Sequence, residues 1–153
     1  MQSNDAIQFG NDNVQLSECP IEESWILEGR PVARRHVLSK SADGSAGMIF
    51  WDCTAGRFQW HYGMDESIYL LEGSVTITDQ AGVAHHLEAG NTIFFPAGSR
   101  AEWNVARYVR KVAFCRVPMP RSFFLARRLY RGLKRMVPRR VAEPSPRSLF
   151  EAG

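Results

Sequence analysis

Between Glu66 and Gly98 the chain carries two glycine-punctuated blocks, Glu66 to Gly73 and Gly90 to Gly98, joined by a short apolar hairpin sequence. Around them, from about residue 23 to Val117, short runs rich in Val, Ile, Phe, Tyr and Trp alternate with turns containing Gly or Asp. That interval suits an all-β barrel or sandwich and leaves little room for helix. The pattern predicts strands over Ala33–Leu38, Ala46–Cys53, Phe58–Tyr62, Ser67–Leu71, Ser74–Thr78, Ala84–Leu87, Thr92–Phe95, Ala101–Val105 and Tyr108–Val117. Asp79-Gln80-Ala81-Gly82 has the composition of a hairpin turn, and Pro96-Ala97-Gly98 that of a turn with preset dihedrals. Gly73, between two strands, is expected at positive φ.

Alternation along a strand assigns side chains to two faces. In Phe58 to Tyr62 the aromatic residues Phe58, Trp60 and Tyr62 share one face, and Gln59 and His61 share the other. One face must point into the barrel. If the polar face does, two groups able to bind a ligand enter the cavity, and the aromatics, with Tyr69, must be covered on the outside. Trp103 falls on one face with Ala101 and Val105, which directs it inward as pocket wall. His85 and His86 are adjacent, so they point opposite ways and cannot chelate one ion together.

A chain of 153 residues supports one domain. Cys19, Cys53 and Cys115 fit neither a disulfide framework nor a zinc motif and are expected as reduced, mostly buried thiols. The first residues lack a basic region followed by an apolar run, and no stretch is apolar enough to span a membrane, so a cytoplasmic protein is expected. Charge is unevenly placed. Residues 1–120 hold ten Lys and Arg against fourteen Asp and Glu, whereas residues 121–153 hold nine against two. The division expected is an N-terminal arm over 1–22, a barrel over 23–118, and a basic helix and tail over 119–153. In the last segment Ser122 suits an N-cap, Leu125, Leu129, Leu133 and Met136 recur at helical spacing, and Pro138 stops the pattern. Such a helix can pack on a barrel, lie on an anionic membrane or bind nucleic acid. No groove-reading motif accompanies it, which argues against nucleic acid, and its moderate apolar content favours packing over peripheral membrane contact.

The glycine blocks resemble the two motifs of the cupin superfamily, G-x5-H-x-H-x(3,4)-E-x6-G and G-x5-P-x-G-x2-H-x3-N. Gly90, Pro96 and Gly98 match the second motif, and Glu66 with Gly73 matches the end of the first. Counting four residues back from Glu66 places His61 at the second histidine and Gln59 at the first. Trp103 and the run Val109-Arg110-Lys111-Val112 are similar to the subfamily of ureidoglycine aminohydrolase and the ethanolamine-utilisation cupin. The resemblance implies a single cupin barrel, of double-stranded β-helix or jelly-roll type, with a C-terminal basic amphipathic α-helix, and implies a homodimer. The departures are substantial: Cys53 replaces the opening glycine, Gln59 a histidine, Val105 the asparagine, and Ala101 the second-motif histidine.

Gln59, His61 and Glu66 together would offer a divalent metal such as Mn, Fe, Ni or Zn one nitrogen and two oxygens. Alternatively His61 is a barrel histidine hydrogen-bonded to Glu66 or Gln59. A carboxylate in an apolar barrel is expensive unless paired, so Glu66 points to function more strongly. Without metal, His61 and Glu66 would be the catalytic acid–base pair, with Gln59 and Trp103 binding substrate. The expected function is binding of a small polar molecule, an amide, ureide or carboxylate, with metal-assisted or acid–base hydrolysis. The alternatives are a catalytically silent barrel serving as ligand sensor or interaction module, and a metal-dependent dioxygenase.

Overall fold

The computed structural model describes residue 7, residues 9–11, residues 13–120, and residues 122, 123, 126 and 128–130. Residues 1–118 form one unit and residues 119–153 another. In the first, eight strands make one continuous antiparallel sheet: β1 (Ser17–Glu18), β2 (Ile26–Gly29), β3 (Ala33–Lys40), β4 (Ala46–His61), β5 (Asp65–Thr78), β6 (Ala84–Glu88), β7 (Thr92–Phe95) and β8 (Arg100–Arg116). The path runs β1-β3-β4-β8-β5-β6, with β2 paired to β4 and β7 to β5. Of the second unit, Ser122, Phe123, Ala126 and Arg128 to Tyr130 are helical. The rest of the expected helix and the tail lie outside the described residues. Among the described residues no helix is long and apolar enough to cross a membrane.

The predicted strands are present, but six of them are joined pairwise. Ala46–Cys53 and Phe58–Tyr62 belong to β4, the two runs either side of Gly73 to β5, and the two either side of Ala106 and Arg107 to β8. β1 falls within the segment expected as a loose arm, and pairs Ser17 with Arg35 and Glu18 with Arg34. The long strands stay continuous because bulges absorb the irregular residues. In β4 the register against β8 slips between Thr54 and Gly56, and in β5 it slips between Leu70 and Glu72 and again between Gly73 and Thr76. An extra residue shifts the alternation by one, so the inward side chains of β4 change from odd-numbered, Ile49, Trp51 and Cys53, to even-numbered, Phe58 and Trp60. In β5 they change from Glu66, Ile68 and Leu70 to Val75 and Ile77.

This slip decides the question left open by alternation. The face of β4 that points inward is the aromatic one. Phe58 is fully buried and Tyr62 nearly so, and Trp60 packs against the core with Trp51 and Phe58. Trp60 was expected outside if the polar face pointed in; it lies inside, and burial of apolar surface is the reason. Trp103, Ala101 and Val105 are all inward and buried, as expected.

Gly73 has φ 75°, and a Cβ there would sit 2.0 Å from the Tyr108 carbonyl oxygen. Gly82 has φ 81° with nothing within 4 Å. Gly73→Ala should therefore cost more than the roughly 1–3 kcal/mol of a non-glycine residue at positive φ alone, and Gly82→Ala no more than that. Urea unfolding of the two variants checks the difference.

Candidate functional site

The polar groups with chemical interest lie inside the barrel. Glu66 enters from β5 on the face shared with Ile68 and Leu70, and Lys111 from β8, in the cross-strand row with Trp51 and Leu70. Both are buried, at 9% and 5% exposure. Lys111 Nζ donates to Glu66 Oε1 at 2.5 Å. The ammonium also lies 4.9 Å from the Trp51 ring centroid and 4.8 Å from that of Trp103. Cation–π contacts of this kind contribute roughly 0.5–2 kcal/mol each, which offsets part of the cost of burying the charge. Trp103 is held in turn: its Nε1 donates to Tyr62 Oη at 2.9 Å, and its ring stacks at 6.1 Å on Phe58. Tyr62 stacks on Phe95 at 4.2 Å. Burial, followed by the Glu66 charge, pushes the Tyr62 phenol well above its ordinary pKa, so it stays a neutral hydroxyl.

Beside the pair is a cavity of about 90 Å³, walled by Trp51, Trp60, Phe58 and Trp103 along with Glu66 and Lys111, with half-buried Cys19 and exposed Arg35 on its solvent side. At about 30 Å³ per water this is room for roughly three solvent molecules. Among the described residues no protein group donates to Glu66 Oε2, and Trp51 Nε1 is buried without a hydrogen-bond partner. A larger open groove of about 810 Å³ runs over the outer face past Met48, Ser67, Phe94 and Phe114, away from these groups except for Cys115, which borders both.

Gln59 and His61 are not brought to Glu66. They occupy the other face of β4, opposite Glu102 and Arg100 respectively. His61 is exposed and packs 4.8 Å from the ring of Trp25. The reason is the bulge at Thr54–Gly56, which turns the even-numbered side chains inward. His85 and His86 are both exposed; His85 pairs with Asp79, and His86 lies 3.2 Å from Thr76 Oγ1. Lys111, the group that does meet Glu66, went unrecognised in the sequence as a site residue. The motif spacing contained a usable signal: three residues before Glu66, instead of four, places Tyr62 and Trp60 at the histidine positions, and both of these point inward.

That placement tests a metal. The inward residues at the motif's ligand positions are Trp60, Tyr62, Ala101 and Glu66. Indole and methyl groups do not coordinate, the phenol is protonated and accepts from Trp103, and the carboxylate already holds an ammonium. Among the described residues no three His, Cys, Asp or Glu side chains cluster to hold an ion. The residues present do not fit a divalent metal.

The family described as EutQ-like cupin domain matches residues 40–113. A protein of unknown function from Pseudomonas syringae pv. tomato is similar in structure, with TM-score 0.64 and 22% identity over 69% of this chain; this chain spans 46% of that protein's length. The Clostridium difficile EutQ protein aligns with TM-score 0.54 and 23% identity, over 68% of this chain and 81% of that one. The polyketide cyclase RemF from Streptomyces resistomycificus aligns with TM-score 0.54 and 17% identity, over 75% and 82%. At these identities the likeness is one of fold. No curated protein sequence matches the chain.

Two outcomes follow from the site's geometry. Removing one partner of a buried ion pair leaves an uncompensated charge and costs roughly 3–5 kcal/mol, so Lys111→Met and Glu66→Leu should each destabilise strongly, while the double variant returns close to wild type in a urea double-mutant cycle. Burial pushes the thiols of Cys53 and Cys115 up to about 12 and about 11. Both are therefore protonated at pH 8 and become thiolates only as pH rises toward those values. Iodoacetamide at pH 8 should label Cys19 alone in the folded protein and all three cysteines in urea, as read by peptide mass spectrometry.

Proposed function

We propose that this chain, which belongs to the EutQ-like branch of the cupin superfamily, binds a small polar molecule beside Glu66 and Lys111 and acts on it by proton transfer. One observation carries the reading: a buried carboxylate with one oxygen held by Lys111 and, among the described residues, no protein donor to the other, at the wall of a cavity. In an amide, ureide or carboxylate, an oxygen can accept from the Lys111 ammonium while an acidic N–H or C–H lies toward Glu66 Oε2. Glu66 then takes the proton, and Lys111 stabilises negative charge growing on the oxygen between largely aromatic walls. Trp103 shapes the pocket, held by Tyr62. Gln59 and His61 have no part in this reaction, and the proposal uses no metal. One protein of the same fold is a polyketide cyclase, which supports by analogy only that such a barrel can hold chemistry. The homodimer expected from the resemblance stays in the proposal, supported by exposed Phe94 and Phe114 on the outer sheet face.

The second reading is a silent ligand sensor. It is favoured by the small cavity and by Trp103, whose N–H is already committed to Tyr62. Glu66→Gln separates the two. It keeps an oxygen to accept from Lys111 but removes the base and the counter-charge, so the protein loses stability, turnover of small amides and ureides by the folded variant should fall by roughly 10²–10⁴-fold while its binding persists, and His61→Ala should leave turnover unchanged. Binding without turnover in the wild-type protein, measured by calorimetry and product assay, would leave the sensor reading standing instead.

A further inference from the structure

We infer that residues 122–137 bind an anionic lipid surface as an amphipathic helix lying in its plane, with apolar side chains toward the acyl chains and cations toward the phosphates. Ser122, Phe123, Ala126 and Arg128 to Tyr130 are helical, and all six are exposed. At about 100° per residue, a helix over 122–137 sets Phe123, Leu125, Leu129, Tyr130, Leu133 and Met136 on one side, within less than half of the circumference. Arg127, Arg128, Arg131, Lys134 and Arg135 take the opposite side, interrupted by Phe124. Packing against protein would bury the apolar side. Phe123, Leu129 and Tyr130 are instead 47%, 64% and 63% exposed.

Charge decides what covers that side. From residue 121 to residue 142 the chain has eight Lys and Arg and no Asp or Glu. A helix in water gains from opposite charges four residues apart, whereas Arg127, Arg131 and Arg135 stand four apart with like charge, which disfavours the helix. A layer of lipid phosphates relieves this repulsion and adds roughly fivefold in partition for each cation brought to it. A short helix is marginal in water, and burial of its apolar side in the lipid offsets the cost of ordering it. Phe123 and Tyr130 suit the boundary between headgroups and acyl chains, where aromatic side chains concentrate. A nucleic-acid backbone would engage the cations but leave the apolar side in water. With five Lys and Arg among sixteen residues, the segment is too short and too charged to cross a bilayer, so it lies along one. Residues 1–120 hold ten Lys and Arg against fourteen Asp and Glu, which confines the attraction to the C-terminal segment.

The test is co-sedimentation of the full-length protein with vesicles of phosphatidylglycerol and phosphatidylcholine in equal parts, and with vesicles of phosphatidylcholine alone. The protein should pellet with the first and stay in solution with the second, and added salt should weaken the binding. Leu129→Glu places a charge on the apolar side, and the double variant Arg128→Glu/Arg131→Glu reverses two cations on the other; each should weaken partition roughly tenfold or more. Leu129 and Arg128 are exposed, so the urea midpoint of the barrel should stay at the wild-type value in both variants. The inference is overturned if the protein stays in solution with the anionic vesicles or pellets equally with the neutral ones. It is also overturned if Leu129→Glu binds as wild type does, or if duplex DNA displaces the protein from the anionic vesicles and binds Leu129→Glu undiminished, because the cations would then act without the apolar side.

Discussion

An ammonium and a carboxylate held 2.5 Å apart inside an aromatic barrel set the terms for the residues around them. Either charge alone would be too costly to bury, so each is the condition for the other. The pair also needs walls that do not compete for it, and the chain supplies indole faces from Trp51 and Trp103, which stabilise the cation without offering it a second anion. Trp103 must then stay in place, and Tyr62, Phe58 and Phe95 hold it by a hydrogen bond and ring contacts. The inward aromatic face of β4 is therefore the support of a charge centre as much as a hydrophobic core.

The outer face handles its charge differently. Asp52 is almost fully buried there, and accepts two hydrogen bonds from the Arg34 guanidinium and one from Tyr108 Oη at 2.9 Å. Both of its oxygens are answered by the protein. Glu66, less fully enclosed, is answered on one oxygen only among the described residues. Asp52 on β4 and Glu66 on β5, with β8 between those strands, thus differ in the number of protein donors around each.

Much of the architecture was legible in the sequence because it rests on local signals. Gly73 between two apolar runs, the Asp79–Gly82 turn and the Pro96–Gly98 turn are where alternation predicts them, with φ of 75°, 81° and 84° at the three glycines. The inward direction of Trp103 followed from alternation within one regular stretch. Gln59 and His61 could not be placed the same way. Their facing depends on how many residues lie between Cys53 and Phe58 relative to the partner strand, and a bulge is a property of the pair of strands. Lys111 was obscured by its company, since a cation in the run Val109-Arg110-Lys111-Val112 reads as solvated until its cross-strand neighbours are known. Pairing with Trp51 on one side and Leu70 on the other reveals it as interior.

The slip in register between Thr54 and Gly56 has one more consequence. A strand records two alternative interiors at once, one on each face, and a bulge chooses between them. Here the discarded interior contains an imidazole and an amide, the kinds of group from which metal centres are assembled, and the chosen one contains rings. A single residue gained or lost near Ala55 would exchange the two sets, turning Gln59 and His61 inward in place of Phe58 and Trp60.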